Sequence, residues 1–72
     1  MDTVTFTVRG TVAGHSHEAA MRYPRGCWDG VSEHDRRELE EIVRIRFGAW
    51  VRREYGVELG DEERAALTVS TA

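Results

Sequence analysis

Seventy-two residues make one domain and not two, and a single core of this size supplies only about 3–5 kcal/mol of net stability. Net charge is −3, from 13 acids and 10 bases; this argues against a dedicated DNA-binding domain, whose phosphate contacts call for a basic excess. Cys27 is the only cysteine, which excludes a disulfide within the chain. With no signal-peptide core and no apolar run near about 18 residues, a soluble protein of a reducing, cytoplasmic compartment with no membrane segment is expected.

Residues 3–13 open the chain with Val4, Phe6 and Val8 alternating against Thr3, Thr5, Thr7 and Arg9. A strict period of two in β-branched and aromatic residues is the pattern of a half-buried strand. Gly10 marks either a bulge or a hairpin turn. Arg9-Gly10 is a weak hairpin signal, so one long bent strand is the favoured reading.

Gly14 breaks the strand. Ser16 then stands as an N-cap before Glu18, Ala19, Ala20 and Met21, and Pro24 sets a stop. These signals predict a short helix over about 16–22. Residues 24–30, with their proline and two glycines, predict a loop.

The clearest element is a long amphipathic helix over about 32–55. Ser32 caps it with Asp35 three residues on, and Glu33 and Asp35 sit at the positive end of its dipole. Leu39, Ile42, Val43, Phe47 and Trp50 share one broad face, with Ile45 and Val51 flanking it on opposite sides. Glu33→Arg37 and Glu40→Arg44 are i,i+4 pairs in the favourable order. Gly56 is the expected terminator. Beyond it, Asp61 is placed to cap a turn over 62–66, and residues 67–71 alternate as a closing strand. The expected fold is therefore small α+β: strand, short helix, long helix, strand. Two strands make a marginal sheet, and a third strand from residues 11–13 or from a second subunit is expected to complete it.

All ten basic residues are arginine, and lysine, asparagine and glutamine are absent. The AT-rich codons of lysine and asparagine are scarce in high-GC genomes, so an actinobacterial or phage origin is expected, and the arginines carry less functional weight than their number suggests. Arg36, Arg37, Arg44, Arg52 and Arg53 offer a nucleic-acid face, but the Glu→Arg spacings favour a solvated helix laced with ion pairs. Arg46 differs. It falls inside the apolar face, where a lone guanidinium is costly, so it must pair, stack on an aromatic ring, lie at an interface, or pack its stem while its head reaches water.

His15-x-His17 with Cys27 and His34 is the only cluster in the sequence with metal-ligand chemistry, and its spacing matches no structural zinc pattern. The histidines read as ordinary surface or cap residues, and Cys27 beside Trp28 as a small buried apolar residue. No constellation for nucleophilic or acid–base catalysis stands out, and neither enzymatic activity nor a cofactor is expected. The apolar stripe is wider than two strands can cover, and such patches mark association surfaces. The expectation is a non-enzymatic interaction or regulatory module. It would self-associate, or bind a protein, through the long helix and the sheet edge, with Trp28, Ile42, Ile45, Arg46, Ala49 and Trp50 at the interface. Nucleic-acid binding through the arginine-rich helix is the alternative.

Overall fold

The computed structural model describes residues 2–71. Strand β1, Thr3–Val12, buries Val4, Phe6, Val8 and Val12 on one face while its threonines line the other. It runs straight through Gly10, which pairs in register with His17. Gly10 is thus neither a bulge nor a turn. A Cβ there would overlap Leu67 Cδ2 and lie 3.5 Å from Leu67 Cγ, so the glycine leaves room for a core leucine to cross the strand.

The chain reverses three residues beyond Gly10, at Ala13 and Gly14, which adopt φ 51° and 81°. Two consecutive residues at positive φ form the turn whose twist matches that of antiparallel strands. Strand β2, His15–Pro24, returns alongside β1 over its whole length. The predicted short helix over about 16–22 is therefore a strand. His17, Ala19, Met21 and Tyr23 are half-buried, while Ser16, Glu18, Ala20 and Arg22 are exposed. Packing against β1 outweighs the local helix preference of Glu18, the alanines and Met21.

After a 3-10 turn, Arg25–Cys27, helix α1 spans Glu33–Tyr55. The Asp35 amide donates to Ser32 Oγ at 3.2 Å, and Gly56 takes a left-handed φ of 70° at the other end. The sheet-facing row is Val43, Phe47 and Val51, all fully buried and four residues apart. Val51, expected on the flank, is central, and Ile42, expected in the stripe, is 46% exposed. The residues over β1 follow the i,i+4 row, which rotates the contact line away from Ile42. The short helix α2, Asp61–Ala65, begins one residue earlier than expected. Gly60 is its N-cap, donating its N–H to Glu63 Oε1 at 3.1 Å, while Asp61 pairs with Arg64 within the first turn. Leu67 is buried, and β3, Thr68–Thr71, pairs antiparallel with β1.

The sheet order is β2-β1-β3. The third strand comes from residues 15–24 of the same chain, neither from residues 11–13 nor from another subunit. Helix α1 covers one face, where Phe6 meets Tyr23 and Trp28 edge-on, at ring distances of 5.6 and 5.1 Å. No helix among the described residues is long and apolar enough to cross a membrane.

Candidate interaction surface

Strands β2 and β3 are the outer strands of the sheet; β2, ten residues against four, presents the longer open edge. The phase of its hydrogen bonding can be read at the strand end, where the Arg25 amide donates to the Asp2 carbonyl at 3.2 Å. Bonding alternates along an antiparallel pair, so odd-numbered residues of β2 turn their amides toward β1. The amide groups of Ser16, Glu18, Ala20 and Arg22 point outward from the sheet. Proteins usually blunt such an edge with charged side chains, lysine above all, with proline, a bulge or an inward-pointing charge, or with a covering helix or loop. Here proline comes only at residue 24, the register is unbroken, and the two charges, Glu18 and Arg22, lie on the open face of the sheet.

Helix α1 runs beside this edge. Arg36, near its start, stacks over Trp28; Arg46, past its midpoint, stands over Tyr23; and its last turn reaches His17, whose ring lies 4.5 Å from that of Tyr55. Between strand and helix lies a groove of about 400 Å³ lined by Ala19, Ala20, Met21, Arg46, Ala49, Trp50 and Arg53. Arg46 resolves as a stacking residue: its guanidinium stands 5.6 Å over the Tyr23 ring, with the residue exposed to water. The Tyr23 hydroxyl is buried at the same place without a hydrogen-bond partner, an arrangement that costs about 1–3 kcal/mol.

Four of the six interface residues expected from sequence therefore gather on this side of α1. Arg46, Ala49 and Trp50 line the groove, and Ile42, four residues before Arg46, continues the same flank. Ile45, 52% exposed, lies further round the helix. Trp28 stands apart. Its ring packs on Phe6, under the Arg36 guanidinium at 4.6 Å, and its carbonyl accepts from Arg36 Nε at 2.9 Å. What sequence reasoning missed is the β2 edge itself; its signal was the alternation of residues 15–23, masked by the Ala19-Ala20 pair.

The five arginines of the alternative reading do not form one face. Besides Arg36, Arg37 pairs with Glu33 at 2.9 Å and Arg53 lies 3.7 Å from Glu54. Arg44 approaches Glu41 rather than Glu40, at 3.8 Å, with Nε buried and unpartnered. Arg52 falls in the last turn of α1.

Cys27 is exposed, not buried, because its 3-10 turn projects from the sheet end while Trp28 takes the core position. His15 and His17 line one hollow with Val12, Tyr55 and Val57. His34 sits at the opposite end of α1, which at about 1.5 Å per residue spans roughly 35 Å, so the three histidines cannot share an ion. His34 Nε2 lies 3.2 Å from Glu38 one turn on.

No family model matches the chain, and comparison with curated proteins and with solved structures finds none similar to it.

Proposed function

We propose that this protein is a small non-enzymatic interaction module that self-associates through the β2 edge and the adjoining flank of α1. The observation that carries the reading is the open β2 edge: a regular ten-residue strand with the amides of Ser16, Glu18, Ala20 and Arg22 outward, beside a groove floored by Ala19, Met21 and Trp50. Unpaired strand edges are templates for another strand. Apolar side chains next to such an edge supply the burial that backbone bonding alone does not. Ile42 extends that apolar surface along the helix.

Sedimentation of the purified chain tests this. Dimers or larger species are expected at micromolar concentration, and Ile42→Asp is expected to weaken association about tenfold, equivalent to roughly 1.4 kcal/mol. A monomer at a hundredfold higher concentration would overturn the reading. The nucleic-acid alternative gains no support from the arrangement of the arginines, several of which are paired with acids of their own helix.

A further inference from the structure

We infer that the occupant of the β2 edge is a second copy of the chain, bound antiparallel in one register, with Ala20 opposite Ala20 of that copy and Glu18 opposite its Arg22. This rests on the reading of β2 as a docking edge and adds the partner and its alignment.

Symmetry and hydrogen-bond phase restrict the choices. Two identical strands pairing antiparallel about a two-fold axis match residue i with a residue at a constant sum. Residues whose amides both face the partner must be opposite each other. On β2 these are Ser16, Glu18, Ala20 and Arg22; Pro24 has the same phase but offers only its carbonyl. The register centred on Ala20 satisfies this and pairs Ser16 with Pro24, Glu18 with Arg22 and Ala20 with itself. It overlaps the two strands across nearly their whole lengths. Moving the centre to Ala19 or Met21 places Glu18 opposite Ala20 or Pro24 and loses the charge match. Moving it to Glu18 or Arg22 sets like charges face to face. A parallel pairing in register does the same to both residues. Charge complementarity therefore selects one alignment, because opposite charges directly across a strand pair attract and like charges repel.

The chain already holds half of this arrangement. Arg9 Nε donates to Glu18 Oε2 at 2.7 Å, and the second carboxylate oxygen is free to accept from Arg22 of the other copy. The row Arg9–Glu18–Arg22 would then cross the open face of a six-stranded sheet, twice, by symmetry. At the axis, Ala20 is small enough for the two strands to meet without obstruction. On the helix side Ala19 comes opposite Met21 and His17 opposite Tyr23, so the half-buried residues of β2 are covered by their own counterparts. Both helices lie on the same face, with the two grooves joined along the seam. Arg46 and Arg53 of both copies line that seam with their ends in water, where salt screens them within about 10 Å.

The test is charge reversal combined with mixing. Glu18→Arg alone and Arg22→Glu alone each place like charges across the axis, and each is expected to weaken association by about tenfold or more. An equimolar mixture of the two variants makes every cross-strand pair complementary again, so it should form heterodimers with near wild-type affinity. All four charges lie on the exposed face, and circular dichroism checks that each variant is folded. Ala20→Pro supplies an independent probe: it removes an outward amide and no bond to β1, so a folded monomer is expected. Heterodimer recovery supports the register. A wild-type dimer that tolerates each reversal, or a mixture that fails to recover, overturns the register; if Ile42→Asp still weakens that dimer, the docking reading survives. A monomeric wild-type chain overturns both.

Discussion

Gly10→Ala probes the one glycine of the chain at which an added Cβ would overlap a neighbour. Gly10 lies within β1, two residues before its end, without a positive φ, so alanine meets no backbone strain. By reducing the freedom of the unfolded chain it should stabilise by about 0.4–1 kcal/mol. The new methyl would overlap Leu67 Cδ2, however, and Leu67 is only 4% exposed. Overpacking a closed core costs about 1–3 kcal/mol. The steric term wins, and a net loss of about 1–2 kcal/mol is expected, with a fall in Tm of roughly 4–8 °C for each kcal/mol. Leu67→Val removes the clashing atom at a cost of about 0.8 kcal/mol for the lost methylene. In that background Gly10→Ala should become neutral or stabilising. Urea unfolding followed by the fluorescence of Trp28 and Trp50 measures all four proteins. Equal or greater stability of Gly10→Ala with Leu67 in place, or the same penalty in both backgrounds, would refute the argument.

Three further outcomes follow from the same contacts. Ser32→Ala removes the acceptor of the Asp35 amide and should cost about 1 kcal/mol, read by urea titration. Phe47→Ala empties the centre of the core at about 3–5 kcal/mol, comparable to the whole stability of a domain this size, so loss of the helical circular dichroism signal is expected. If the chain self-associates, its Tm should rise with protein concentration, since binding of folded copies adds to apparent stability; a Tm independent of concentration speaks against a dimer.

The long helix was legible in sequence because every local signal agreed. Ser32 and Asp35 start it, Gly56 ends it, and an apolar row lies between, Val43, Phe47 and Val51 at its centre. The first strand was legible through its alternating valines and threonines. The second was not, for two reasons. Ala20 sits on the exposed face and Ala19 on the covered one, which erases the contrast that a period of two requires, and Ser16 imitates a helix cap. The choice between strand and helix was made instead by the tertiary partner, which local propensity does not contain. The interface residues show the same division. Helical spacing placed Arg46, Ala49 and Trp50 together, but only the position of β2 shows that they line a groove. The exchange of Ile42 for Val51 in the core reflects a rotation of the helix about its axis, which is set by the sheet and not by the helix sequence.

The missed hairpin has a chemical cause that can itself be tested. A two-residue turn of this kind favours asparagine followed by glycine, and the chain contains no asparagine. Ala13 takes the first position instead, at φ 51°, the one described non-glycine residue at positive φ. A left-handed conformation costs an ordinary L-residue roughly 1–2 kcal/mol, whereas asparagine tolerates it. The turn works because the β1–β2 pairing and the buried Phe6 and Val12 hold it closed, not because its own sequence prefers to turn. Ala13 is exposed, so its side chain adds little to packing. Ala13→Asn should therefore raise stability by about 0.5–1 kcal/mol, and Ala13→Val, with a branched Cβ at positive φ, should lower it by at least as much. Urea midpoints of the two variants, measured at one protein concentration, should move in opposite directions. If Ala13→Asn leaves the midpoint unchanged or lowers it, the strain assigned to this turn is absent, and the sequence was silent at residues 13–14 for some other reason than its missing asparagine.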